Sequence, residues 1–376
     1  MLLLIISILL LIPVIIMLYF KLRFKFWSKQ PVFHIYDIHY WFKNSQIIMP
    51  ELPIFNKYTN FVDIKTKNYR DISLNPLVEL IQTNYLDEDT LQYKPKSENI
   101  IPYLENHNHP VYISTYTGKR NLIGCLTSRP LNVILKNNKF SAYYVDYLVV
   151  KKGYRKRGVA PELIQTHEYN QRHNNKNIQI SLFKREDTLT NIIPLVTYKL
   201  IGFPLHKFKC GFLHASLKLL KITKQNLHFV FYLIKSYVYK NFPCVILPDI
   251  NNLAGLIESN NIVMYAIMQL DNIICLYVFQ DTCVYHNHKK GVQLITSCCI
   301  DKDFYSIFEE GLYLVLEKFK SEYQNLFIDR NSHNNILIER ILNANRSRPF
   351  LTSTAAYYFY NYIHRPFLSS EVFIIS

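Results

Sequence analysis

Residues 145–164 read VDYLVVKKGYRKRGVAPELI. The run Val145–Val150 is β-branched and aromatic, which predicts a strand. Pro161 predicts a helix opening close to it, because a first helical turn has no use for the missing N–H. Between the two lies Arg155-Lys156-Arg157-Gly158-Val159-Ala160. A loop that ends at a helix N-terminus offers free backbone N–H groups and the positive end of the helix dipole. Gly158 and Ala160 let that backbone come close to an anion such as a pyrophosphate, and the basic side chains add charge. The same letters also fit an ordinary solvated turn, so the strand before and the helix after carry the argument.

Outward from this turn the pattern is one of mixed α and β. Residues 110–150 read as strands (PVYISTY, NLIGCLTS, LNVILK, AYYVDYLVV) separated by turns at TGKR, RP and NNK. Residues 74–104 read as a helix, an acidic loop at Asp87-Glu88-Asp89 and a second helix. Strands return over residues 260–300, an amphipathic helix is predicted over Phe304–Ser321, and the end of the chain is again strand-like. Strands, helix and strands thus occur twice, an α+β duplication in element order without a residue-level repeat.

At the N-terminus Leu2–Phe20 is uncharged, and about 19 residues rise roughly 28 Å, close to the hydrocarbon thickness. Nothing basic precedes it, and Lys21, Arg23, Lys25 and Lys29 follow. A cleaved signal peptide would show the reverse flank. The reading is an uncleaved transmembrane anchor over residues 1–20, making a single-pass membrane protein whose remainder faces the cytosol.

Over its 376 residues the chain carries Lys+Arg 43 against Asp+Glu 28, a net charge of +15, so an anionic partner is expected. Hydrophobic residues at 49% exclude a disordered chain, and only 9 glycines exclude collagen-like architecture. The 7 cysteines form no C-x-x-C and read as reduced thiols. Cys298-Cys299 reads as a buried strand end. His107/His109 and His286/His288 are loop pairs without further ligands at metal spacing, and no metal is expected.

Longer stretches are more specific. Phe26-Trp27-Ser28-Lys29-Gln30-Pro31-Val32, Asn84-Tyr85-Leu86-Asp87-Glu88-Asp89, the IGCLTSRP of residues 123–130, Tyr147–Pro161, and Tyr357-Tyr358-Phe359-Tyr360-Asn361 through Val372–Ser376 occur in order. In this they resemble the N-myristoyltransferase (glycylpeptide N-tetradecanoyltransferase) family, whose segments F-W-[DX]-T-Q-P-V, N-Y-V-E-D-D, V-G-F-I-S-x-x-P, F-L-C-V-H-K-K-L-R-S-K-R-V-A-P and Y-Y-L-Y-N-W…K-V-G-L-V-x stand at similar spacing.

The resemblance implies tandem halves of the GNAT (acyl-CoA N-acyltransferase) fold behind the anchor. Residues 21–205 would bind acyl-CoA and residues 206–376 the peptide. It implies transfer of a myristoyl group from myristoyl-CoA to the N-terminal glycine amine of a protein, by a monomer that binds no nucleic acid. Lys25, Phe26, Trp27, Tyr147, Leu148, Val149, Val150 and Arg155, Lys156, Arg157, Gly158, Val159 and Ala160 would hold the CoA thioester. Backbone N–H groups of Tyr147 and Leu148 would form the oxyanion hole. Tyr85, Asp87, Glu88, Asp89 and Asp329 would contact the peptide. The base would be the terminal carboxylate of Ser376, since an α-ammonium of pKa near ~8 must lose a proton before it attacks. A carboxyl of pKa about 3.5 is a poor base in water, and burial beside the VFII strand would raise it.

The sequence also departs from the family's pattern. Its T-A-G-V-V-L-P-x-P-V stretch stands here as Lys184–Val196, KREDTLTNIIPLV, with charge where small residues are usual, and its Y-W-H-R has no counterpart near Tyr198-Lys199. Gly158 replaces a family Arg. Two alternatives stay open: a catalytically degenerate homologue that binds acyl-CoA or a lipidated protein, and an acetyl-CoA-dependent N-acetyltransferase.

Overall fold

The computed structural model describes residues 2–86, 90–118, 121–136, 138–187, 191–344 and 348–376, with side chains from Ile12 onward. Most strands join one continuous sheet. In the first half the strands Tyr112–Gly118, Asn121–Leu135 and Asn138–Val150 form an antiparallel meander. The helix Val159–Asn174 follows, and then the strand Ser181–Glu186 returns parallel to Asn138–Val150. The second half repeats that order: strands Ile262–Gln269, Asn272–His286 and Lys289–Cys299, helix Tyr305–Phe319, and parallel strand Asn325–Asp329. The mixed α+β architecture is therefore as expected.

The halves interleave. Strand Leu351–Tyr360 lies between Ser181–Glu186 and Val196–Pro204, and Val196–Pro204 pairs in turn with Asn325–Asp329. At the end of the chain, Val372–Ile374 runs parallel to Cys244–Leu247, which is itself paired with Asn132–Leu135. The Ile375 N–H donates to the Ile246 carbonyl at 2.9 Å, and Val372, Phe373, Ile374 and Ile375 are buried. The tail is thus a core strand tied to the long strand of the first half.

Two features of the first half create space for a ligand. Tyr147 and Leu148 form a bulge opposite Leu126, with Tyr147 in the left-handed region at φ 47°. Strands Asn138–Val150 and Ser181–Glu186 pair only from Tyr143–Val145 to Ser181–Phe183. Beyond that point Lys184–Glu186 stays with Ala355–Tyr357, and the sheet opens between the two strands. Helix Val159–Asn174 closes one face of the opening. Its buried stripe Val159, Leu163 and His167 follows the i, i+4, i+8 spacing. Leu163 packs with Ile64, Ile123, Val150 and Val159. Gly124 permits the close approach, because a Cβ there would stand 3.0 Å from both Leu163 Cδ1 and the Val149 carbonyl.

Several expectations are corrected. Among the described residues no helix is long and apolar enough to cross a membrane. The N-terminal segment is helical over Leu2–Arg23, with Pro13 inside it and Lys21 and Arg23 in its last turn. That finding overturns the single-pass, cytosol-facing placement and leaves the transmembrane anchor over residues 1–20 and the membrane as a partner without support. The turn expected at Arg129-Pro130 is continuous strand. On one side Pro130 pairs with Tyr143. On the other it falls between the partner that ends at Ser128 and the one that begins at Asn132, so no strand needs its N–H. The second helix expected before residue 104 is a short strand, Leu91–Tyr93, and two single 3₁₀ turns.

Leu163→Ala should cost about 2–5 kcal/mol, the usual range for a leucine truncated where the site cannot collapse. The loss will show as a lower urea midpoint at unchanged slope.

Candidate functional site

Two cavities meet at the bulge. One, of about 230 Å³, runs beneath helix Val159–Asn174 and is lined mainly by apolar groups, among them Trp27, Leu126, Val145, Leu148, Ile164 and Phe183. The other, of about 360 Å³, is polar and reaches into the second half, where Gln280, Gln293, Asp329 and Asn331 line it together with Tyr357 and Ser376. Tyr85, Asp146, Tyr147, Lys184 and Arg185 border both. Tyr85 sits edge-on to Tyr93 and Tyr147, and the Tyr93 and Tyr147 hydroxyls are 3.0 Å apart. These three rings form an aromatic partition between the two spaces.

Ser376 reaches the polar cavity because the Val372–Ile374 strand is pinned into the core. Its hydroxyl lies 2.8 Å from the Tyr357 hydroxyl. Asp329, at the end of Asn325–Asp329, accepts a hydrogen bond from Gln293 at 2.8 Å and has Lys184 Nζ at 3.9 Å. Burial alone would lower the Lys184 pKa. Asp329, Tyr357 and Tyr144 more than reverse this and hold it as an ammonium. At the bulge the Tyr147 N–H donates to Asp146 Oδ1 at 2.8 Å. Burial raises the Asp146 pKa against the pull of Arg129, the Tyr147 N–H and Lys184.

At the basic turn the backbone conformation and one basic side chain are fixed by local contacts. Gly158 caps the helix at φ 88°, a left-handed conformation in which a side chain would be strained, and the helix starts at Val159 with Pro161 in its first turn. Lys156, Arg157 and Gly158 are exposed, and Ala160 is partly so. Arg155 is exposed as well, but two of its guanidinium N–H groups are engaged: Nε donates to the Val150 carbonyl at 3.1 Å and Nη2 to the Asn84 carbonyl.

The remaining expected site residues divide. Trp27 stacks on Phe183 with ring centroids 5.6 Å apart and walls the apolar cavity. Phe26 packs on Trp27 and Tyr58, Lys25 is exposed, and Val149 and Val150 point into the core. None of these four lines either cavity. Asp87, Glu88 and Asp89 lie outside the described residues. Among the described residues no three His, Cys, Asp or Glu side chains are placed to hold a metal ion.

Arg129 and Asp146 line the polar cavity and were missed from the sequence: Arg129 because its Arg-Pro pair reads as a turn, Asp146 although it is a charge inside the apolar strand YVDYLVV. Lys184 was noticed only as a departure from a pattern. An apolar cavity and a polar one that share wall residues, with a backbone bulge where they adjoin, suit a reaction between a long apolar reactant and a polar one.

Comparison with known proteins gives the same picture. The profile of the myristoyl-CoA:protein N-myristoyltransferase N-terminal domain matches residues 42–195. A crystal structure of Saccharomyces cerevisiae N-myristoyltransferase with bound myristoyl-CoA superposes with a TM-score of 0.72 at 16% identity, covering 92% of this chain and 94% of that one. Another, with bound myristoyl-CoA and inhibitors, gives 0.71 at 15% identity, covering 92% and 91%. No curated protein matches by sequence. Residues 42–195 thus match the N-terminal-domain model of the N-myristoyltransferase family, and the chain as a whole has the fold of that enzyme.

Proposed function

We propose that the protein is a glycylpeptide N-tetradecanoyltransferase, moving a myristoyl group from myristoyl-CoA to the N-terminal glycine amine of a protein. The observation that carries this reading is the meeting of an apolar and a polar cavity at the Tyr147–Leu148 bulge, with Ser376 on the polar side. Residues 21–205 supply the acyl-CoA half and residues 206–376 most of the peptide half.

The fatty chain lies in the apolar cavity against Trp27, Leu148, Ile164 and Phe183. Burial at about 0.8 kcal/mol per methylene offers on the order of 10 kcal/mol for a tetradecanoyl tail. The diphosphate rests on the helix N-terminus at Gly158–Ala160 with Lys156 and Arg157 beside it. The thioester carbonyl then faces the bulge, where the Tyr147 and Leu148 amides take up the charge that develops on its oxygen. For Tyr147 this means that its N–H is handed over from Asp146. The glycine amine enters from the polar cavity and gives a proton to the Ser376 carboxylate. Its nitrogen attacks the carbonyl carbon and the C–N bond forms; the C–S bond then breaks as the nitrogen sheds its second proton, which goes to the departing thiolate. Tyr85 and Asp329 line the path of the peptide.

A second reading, a homologue that binds acyl-CoA without turnover, draws on the ammonium of Lys184 in the acceptor space and on the Tyr147 N–H already engaged by Asp146. An acetyl-CoA enzyme would leave the apolar cavity without a use.

The deciding experiment is incubation of the full chain with myristoyl-CoA or acetyl-CoA and a Gly-initiated peptide. Acylated peptide from myristoyl-CoA alone supports the first reading, tight myristoyl-CoA binding without product the second, and product from acetyl-CoA the third. A Gly-Ser extension after Ser376 should cut turnover by at least 10²-fold, the scale of a lost general base, and leave myristoyl-CoA affinity unchanged. Unchanged turnover removes the terminal base. Lys156→Ala with Arg157→Ala should weaken CoA binding about tenfold in calorimetry, the scale of one or two lost charge-assisted hydrogen bonds. Arg155 is left intact because its guanidinium ties the turn to Asn84.

A further inference from the structure

Arg129 is among the largest side chains on the wall of the polar cavity and is only 2% exposed. Its guanidinium sits between two rings, 5.0 Å from the centroid of Tyr103 and 5.0 Å from that of Tyr144. Its Nε and Nη1 have no hydrogen-bond partner. The charge of Arg129 draws the Asp146 carboxyl pKa downward, but the two make no ion pair, and among the described residues no other carboxylate pairs with it. A buried guanidinium with unfilled donors is costly, and cation–π contact offsets only part of that cost. Nothing in the acyl-transfer chemistry described above uses this group.

The cavity itself limits what could fill the gap. Lys184 and Arg185 are further cations on the same wall, whereas Asp146, Glu186, Asp281 and Asp329 would repel a polyanion. A single planar carboxylate matches the fork of a guanidinium. Ser376 lines the same cavity, so a group held by Arg129 lies in the chamber that receives the acceptor amine.

We propose that Arg129 reads a carboxylate carried by the acceptor close to its reactive amine. The proposal rests on the acyl-transfer reading, because it names the acceptor chemistry of that site. The carboxylate has two possible sources: an acidic side chain directly after the N-terminal glycine, or the main-chain carboxyl of a very short acceptor.

The test uses the full chain saturated with a non-hydrolysable myristoyl-CoA analogue and calorimetric binding of two matched pairs. These are octapeptides beginning Gly-Asp or Gly-Asn, and free glycine or glycinamide. At least tenfold tighter binding of the Gly-Asp peptide assigns the side chain, and the same preference for glycine over glycinamide assigns the main-chain carboxyl. In either case Arg129→Gln should erase the ratio and Arg129→Lys should keep part of it. Equal affinities within both pairs overturn the proposal, as does a preference that survives in Arg129→Gln. The wild-type pairs decide the matter even where the glutamine variant fails to fold. Turnover with myristoyl-CoA is followed in parallel. Discrimination between acceptors without product sinks acyl transfer and leaves the carboxylate site standing. Product formed at equal rates from both members of each pair does the opposite.

Discussion

The opening of the sheet beyond Val145 is the constraint on which the rest of the molecule depends. Asn138–Val150 and Ser181–Glu186 begin as hydrogen-bonded neighbours and then part, each satisfying its backbone with a different partner. A gap in a sheet normally strands donors and acceptors in an apolar interior. Here Lys184–Glu186 is taken up by Ala355–Tyr357 from the second half, and the bulge at Tyr147 and Leu148 turns the freed edge of the other strand toward the gap. The two cavities exist because the halves exchange strands in this way, and the junction between them is made of main chain that is held rigidly from both sides.

The electrostatics of the junction follow from that geometry. Asp146 and Lys184 lie on the parting strands and therefore face the gap instead of a neighbouring strand. In a region this poorly solvated a charge is retained only where others answer it. Lys184 has Asp329, Asp146 has the Tyr147 N–H, and Arg129 has two aromatic faces. The site is thus a set of partly satisfied charges, and charge more than shape will distinguish one acceptor from another.

Much of this was legible from local chemistry. The turn at Arg155–Ala160 could be read because helix starts have strong residue signatures, and the tail at Val372–Ile375 because an unbroken apolar run seldom frays. The bulge could not be read, since Tyr147 in the left-handed region has no signature of its own and is imposed by the register against Leu126. Arg129 and Asp146 were hidden for a related reason: whether a charge in a strand faces solvent, a neighbour or a cavity depends on pairing across more than a hundred residues. For Arg155, expected as a ligand for an anion, two of the donors go to the carbonyls of Val150 and Asn84, a tie the letters do not reveal. The N-terminal run was judged by its letters alone, and a count of apolar residues did not establish a span.

The interleaved strands also bear on how the protein is made. Ser181–Glu186 and Val196–Pro204 are synthesised well before Leu351–Tyr360, the strand that separates them in the finished sheet. A nascent chain carrying only the first half therefore exposes two strand edges that have no permanent neighbour, and such edges pair readily with the wrong one. Folding of the first half cannot be completed on the ribosome by that half alone. It waits for Leu351–Tyr360, synthesised long after its partners Ser181–Glu186 and Val196–Pro204, which gives a chaperone that shields open β-edges a natural window in which to act.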